Sequence, residues 1–216
     1  MKVLIIDNYD SFTYNLVYMV QTILETKVDV VRNDQIDLSK VQEYDKILLS
    51  PGPGIPDEAG QLKEVIERYG KTKSILGVCL GLQAIAEVYG GQLENIQEVY
   101  HGLATDIHVK KEDLLFNNQK PVFIGGRYHS WIVSKNQLPA CFHITAEDSL
   151  NNIMALAHKE HDVKGVQFHP ESVLTPTGEK MIRNWLFSRQ QSTIQLPSGS
   201  SKEFDINCFS NKSLFL

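Results

Sequence analysis

Ser74-Ile-Leu-Gly-Val-Cys-Leu-Gly-Leu-Gln-Ala-Ile-Ala-Glu-Val-Tyr-Gly-Gly91 decides the fold class. Ser74–Val78 is a short apolar run that reads as a buried strand, and Leu80–Tyr89 is a helix, apolar almost all round, closed by two glycines. The same alternation recurs on either side of this stretch. Val3–Asp7 reads as a buried strand, followed by the polar turn Asn8-Tyr9-Asp10-Ser11 and a helix through about Ile23, capped by Asp10 or Ser11. Lys27–Arg32 and Lys46–Ser50 are further strands; Pro51-Gly-Pro-Gly54 forces a turn, and an amphipathic helix follows near Glu58–Tyr69. Near the far end, a strand at Lys164–Phe168 precedes a helix at Gly178–Ser188. Thr175 and Pro176 suit the start of that helix, and Met181, Ile182, Trp185 and Leu186 form its apolar face.

Continuous apolar strands separated by helices predict an α/β fold, an open, mainly parallel sheet with helices on both faces. Between Gln92 and about Gln167 the pattern changes to short β-like pieces and turns, which predicts a small antiparallel extension of the same domain. The domain is expected to span residues 1–189, and the serine-rich stretch 190–216 to be a poorly ordered tail.

Composition narrows the function. The chain has 216 residues, 42% hydrophobic and 22% charged, which suits one globular domain. Its net charge of −5 argues against a nucleic-acid surface, since phosphate contacts need clustered Lys and Arg. The longest apolar run, Ile75–Leu80, is far too short to span a bilayer, and Val3–Ile6 closed by Asp7 is not expected to act as a signal peptide. Cys79, Cys141 and Cys208 are odd in number and widely spaced, so no disulfide framework or zinc site is indicated, and a cytoplasmic location is expected. His158-Lys-Glu-His161 lacks the i, i+4 spacing of a helical zinc pair, so no metal is expected.

Gly77-Val-Cys-Leu-Gly81 carries the chemistry. A cysteine between strand and helix, flanked by glycines, fits a nucleophile elbow. The thiol would sit at a helix N-terminus, where free N–H groups and the macrodipole favour negative charge, and the Leu80 amide would face a developing oxyanion. A buried structural cysteine fits the pentapeptide equally well. A nucleophile needs a base with an orienting acceptor. Gln167-Phe-His-Pro-Glu171 follows a strand, and strand C-termini of a parallel sheet share one edge, so His169 and Glu171 are the candidate base and its carboxylate. Pro51-Gly-Pro-Gly54 leaves its strand at the same edge and could supply a second oxyanion donor. Gln83, one turn after Cys79, faces the same way and needs a polar partner. Gly126-Arg-Tyr-His-Ser-Trp131 is a polar and aromatic loop with no function of its own at this level.

Taken together, Pro51-Gly-Pro-Gly54, Gly77-Val-Cys-Leu-Gly-Leu-Gln83 and Gly165-Val-Gln-Phe-His-Pro-Glu-Ser172 resemble the class I, triad-type glutamine amidotransferases, over about residues 1–188. Asp7-Asn-Tyr-Asp-Ser-Phe-Thr-Tyr-Asn15 and Arg127-Tyr-His-Ser130 are similar to the glutaminase subunits of anthranilate synthase and of aminodeoxychorismate synthase. Leu82 and Trp131 depart from the family, which often has His and Leu there. The resemblance implies Cys79 as nucleophile, His169 as base and Glu171 as its orienting group. It also implies glutamine contacts from Gly52, Pro53, Gly54, Leu80, Gln83, Ser130 and Trp131, several of them through backbone groups. It implies glutamine as substrate and a separate chorismate-binding synthase subunit as partner, most readily in tryptophan biosynthesis and alternatively in folate biosynthesis. No cofactor is implied in this chain; any Mg²⁺ requirement belongs to the synthase partner. A self-sufficient γ-glutamyl thiol hydrolase and a non-catalytic binding module on the same scaffold are the competing readings.

Overall fold

The computed structural model describes residues 1–96 and 99–188. The expected tail therefore lies outside the described residues, as does Cys208. Five strands form the parallel half of the sheet: β1 (Val3–Asp7), β2 (Asp29–Arg32), β3 (Lys46–Leu49), β4 (Ser74–Val78) and, late in the chain, β11 (Val163–Val166). Their order is β2-β1-β3-β4-β11, and every neighbouring pair is parallel.

The antiparallel extension continues the same sheet. It comprises β10 (Ile153–His158), β9 (Phe142–Asp148), β6 (Leu103–Val109) and β7 (Val122–Arg127), laid in that order beyond β11. A separate ribbon pairs β5 (Leu93–Asn95) with β8 (Trp131–Val133). The last strand of the parallel half is thus contributed from beyond the extension.

Both faces are covered, and the alternation of side chains along the strands shows why. Val3 and Ile5 of β1 pack with α1 (Thr13–Leu24) and α5 (Gly178–Phe187), while Leu4 and Ile6 pack with α3 (Leu62–Tyr69) and α4 (Leu80–Val88). α2 (Leu38–Val41) is a single short turn that adds Val41 to the second cluster. Met181, Ile182, Trp185 and Leu186 are all buried, so the apolar face of α5 is the one the sequence predicts. Each buried Leu, Ile or Val contributes about 1.5–3 kcal/mol relative to exposure.

The helix starts differ from expectation. α1 begins one residue after Phe12, with no side-chain cap; the Asp10 carboxylate instead accepts the Phe12 N–H at 2.7 Å, closing a turn just ahead of the helix. α5 starts after Thr177 rather than Thr175. Thr175 is drawn away because its hydroxyl donates to the His169 carbonyl at 2.6 Å and accepts the Gly126 N–H at 2.9 Å. The predicted helix near Glu58–Tyr69 is split into a 3-10 turn at Pro56–Glu58 and α3. No helix among the described residues is long and apolar enough to cross a membrane.

Candidate active site

Cys79 is the single residue between β4 and α4. Its backbone is left-handed, φ 52° and ψ −103°, a conformation that costs a non-glycine residue about 1–3 kcal/mol. The surroundings hold it there. The Cys79 N–H donates to the Val166 carbonyl of β11 at 2.8 Å, and its carbonyl accepts the Gln83 N–H at 3.1 Å. The helix can turn this sharply only because Gly77 and Gly81 are bare: a Cβ on Gly77 would fall 2.4 Å from the Gly81 carbonyl carbon, and one on Gly81 would fall 2.6 Å from the Leu49 carbonyl oxygen.

Strand register brings the second motif to the first. β11 lies directly beside β4, with Val166 opposite Val78, so the chain leaving β11 passes the elbow at once. His169 is 2% exposed there, its N–H bound to the Gly126 carbonyl at 2.9 Å. Its Nδ1 lies 2.7 Å from Glu171 Oε1. Burial by itself would lower the pKa of this imidazole. Interactions with Cys79 and with the Glu171 carboxylate outweigh burial and raise it to about 10. Nε2, the nitrogen turned away from Glu171, has no hydrogen-bond partner. Phe12 and Tyr128 wall the ring, with centroids 5.8 and 4.9 Å from it.

A cleft of about 200 Å³ opens beside the thiol, lined in part by Gly52, Pro53, Gly54, Cys79, Gln83, Ser130 and Trp131. Elements remote in sequence therefore meet around one sulfur. Leu80 is buried with its side chain against the Gly52 backbone and lines a neighbouring cavity that shares Pro53 with the cleft. Gln83 reaches the cleft, yet its amide nitrogen donates to protein groups, the Trp131 carbonyl at 2.9 Å and Gln167 Oε1 at 3.3 Å.

Several neighbours were not singled out by sequence reasoning. Gln167, fully buried, donates from Nε2 to Cys79 Sγ at 3.4 Å. It stands two residues before His169, so the motif contained it, but a glutamine ahead of a histidine carries no signal without the strand pairing. His129 also lines the cleft. Arg127 donates from Nε to His129 Nε2 at 3.1 Å and from Nη1 to Asp148 at 2.8 Å, with its guanidinium 3.5 Å over the Tyr100 ring. Burial first, then the charges of Arg127 and His169, lowers the His129 pKa to about 3. The two imidazoles at the site are thus shifted in opposite directions, His129 toward the neutral form and His169 toward the cation.

The sequence model of the glutamine amidotransferase class-I family matches residues 4–188. The chain belongs to the class I glutamine amidotransferases. Among its relatives in this family, the aminodeoxychorismate/anthranilate synthase component 2 of Bacillus subtilis is 42% identical over 194 residues, covering 89% of this chain and 99% of that one. The anthranilate synthase component 2 of Pseudomonas aeruginosa is 42% identical over 199 residues, covering 89% and 97%. A glutamine amidotransferase of known structure from Thermotoga maritima superposes with a TM-score of 0.71 at 15% identity, covering 86% and 96%, a likeness of fold. Among the described residues of this amidotransferase, no three His, Cys, Asp or Glu side chains gather as a metal ion requires.

Proposed function

We propose that this chain is the glutaminase subunit of a chorismate-aminating synthase, with anthranilate synthase as the first assignment. The observation that carries the reading is the buried His169–Glu171 pair, 2.7 Å apart and coupled to Cys79 at the strained turn. Family membership and the component 2 relatives support it.

The reaction follows from the side chains. The Cys79 thiolate attacks the side-chain amide carbon of glutamine. The Leu80 and Gly54 N–H groups stabilise the oxyanion, Leu80 because the first amides of a helix lack intrahelical acceptors. His169, held protonated, gives its Nε2 proton to the departing nitrogen, releasing ammonia and leaving a γ-glutamyl thioester. His169 then takes a proton from water, which attacks the thioester and frees glutamate. Glu171 keeps the imidazole in one tautomer throughout. No cofactor enters these steps. Ammonia released to water becomes ammonium, a poor nucleophile, so a second subunit that uses it at once is part of the proposal, as is a cytoplasmic setting.

The name of the Bacillus subtilis relative covers both syntheses, which favours a second assignment, a subunit serving aminodeoxychorismate synthesis as well. The test is glutamate release from glutamine with and without a chorismate-binding subunit, with Cys79→Ser as control. Partner-stimulated release that disappears in Cys79→Ser supports the reading, and the aromatic product names the pathway. No release from folded protein in either condition overturns it. Turnover of γ-glutamyl peptides without a partner would favour the thiol hydrolase instead.

A further inference from the structure

A carbonyl oxygen only accepts hydrogen bonds, and here one such oxygen sets the direction of two side chains. Gln83 Nε2 donates to the Trp131 carbonyl at 2.9 Å and to Gln167 Oε1 at 3.3 Å. An amide nitrogen carries two hydrogens, so these acceptors use both. Turning the Gln83 amide over would place its oxygen against the Trp131 carbonyl, two acceptors with no proton between them. Gln83 is therefore fixed, and Gln167 must show its own oxygen to Gln83. The Gln167 nitrogen is left facing the other way, where Cys79 Sγ lies at 3.4 Å. Gln83 is 3% and Gln167 0% exposed, so water offers neither amide an alternative partner.

We propose that Gln167 is a positioning residue for the nucleophile: its N–H, aimed by the Trp131 carbonyl through Gln83, donates into the Cys79 sulfur and stabilises it as thiolate. The proposal deepens the glutaminase reading and rests on it. A thiolate accepts hydrogen bonds well and a thiol poorly, so a fixed donor favours the charged form. It also divides the labour around sulfur. The amide cannot give up its proton and stays as a permanent donor. His169, held by Glu171 through Nδ1 and interacting with Cys79, is the group that carries a proton to the leaving nitrogen. The direction comes from a backbone carbonyl, so the arrangement is indifferent to the Trp131 side chain.

The test uses the full chain and iodoacetamide, with carbamidomethylation of Cys79 followed by peptide mass spectrometry at about pH 6 and about pH 10, pH values that bracket an ordinary thiol. Gln167→Leu should slow alkylation about tenfold or more at the lower pH, the loss expected for one hydrogen bond to a charged group, with the rates converging at the higher pH. Gln83→Leu, which does not touch sulfur, should give the same pattern more weakly, because the Gln167 amide is then free to turn. In partner-stimulated turnover, both should lower kcat with little change in KM. Unchanged alkylation at both pH values in the folded variants, or a raised KM with kcat retained, would overturn the proposal and leave the two amides as substrate contacts or packing. If Gln167→Leu does not fold, Gln83→Leu carries the same test. Alkylation needs no glutamine, so a failure of the glutaminase reading would show separately, as absent glutamate release from the wild-type chain.

Discussion

Gly77 and Gly81 lie back to back across the turn at Cys79, so that a Cβ on Gly77 would sit 2.4 Å from the Gly81 carbonyl carbon and 2.5 Å from its oxygen. Neither contact can be relieved by a rotamer, because both involve backbone. Gly77→Ala is expected to cost about 3 kcal/mol or more, at the upper end of overpacking, and to abolish activity even where the fold survives. Denaturant titration of the variant, with Gly90→Ala as a comparison, checks this. A Cβ on Gly90 meets nothing within 4 Å; its penalty comes only from φ of 93°.

Glu171→Gln tests the carboxylate behind the imidazole. The amide keeps the size of the side chain and removes the charge that stabilises His169 as a cation at 2.7 Å. By analogy with triads in which the orienting carboxylate becomes an amide, kcat should fall about 10²–10⁴-fold. Binding of glutamine should change little. Steady-state glutaminase kinetics with the partner subunit separate kcat from KM.

Two buried neutral histidines set the acid limit of stability. The His129 pKa is lowered to about 3, and burial together with the nearby His161 lowers that of His158 to about 4. For each, the unfolded chain binds more protons in the window between the folded value and the usual 6.5. Their contribution is therefore present above about pH 6.5 and lost as pH falls toward 4 and 3. His169 runs the other way: raised to about 10, it stabilises the fold fully below about pH 6.5 and loses that contribution as pH rises through 10. Thermal unfolding from pH 4 to pH 10 should show both limbs, each kcal/mol moving Tm by about 2–4 °C. His158→Gln should flatten the acid limb and leave the alkaline one, since His158 lies against Tyr89 and Phe142, away from Cys79.

Arg127→Met breaks the buried pair with Asp148, whose side chains are 1% and 2% exposed. Leaving a carboxylate buried without its partner is expected to cost about 3–5 kcal/mol. The double change Arg127→Met with Asp148→Leu should recover part of that loss, because no charge remains unpaired. Activity should stay depressed in the double variant, since His129 then loses both its donor at 3.1 Å and the neighbouring charge that helps hold it neutral. Chemical denaturation and glutaminase assay of both variants distinguish the two effects.

Short-range chemistry was legible in the residues themselves. Apolar runs of four or five residues separated by helical patterns can be buried only as parallel strands covered on both faces, so Val3–Asp7, Lys46–Leu49 and Ser74–Val78 declare the sheet without help. The glycines around Cys79 announce a turn with no room for side chains, and a histidine two residues from a glutamate just past a strand suggests the buried pair that the structure shows, 2.7 Å apart. What the sequence could not hold is whatever depends on pairings far apart in the chain. The neighbour relation of β4 and β11 joins residues 88 positions apart, and only that pairing sets Gln167 against the sulfur. Thr175 left the helix start because His169 and Gly126 competed for its hydroxyl, and Asp10 closed a turn instead of capping α1. Nor did the loop Gly126–Trp131 say by itself that it would bring His129 and Ser130 to the cleft beside Cys79 and the Trp131 carbonyl to Gln83. Local propensity and covalent spacing act within a few residues and can be read directly, whereas hydrogen-bond partners and burial are assigned by whichever distant segments the folded sheet makes neighbours.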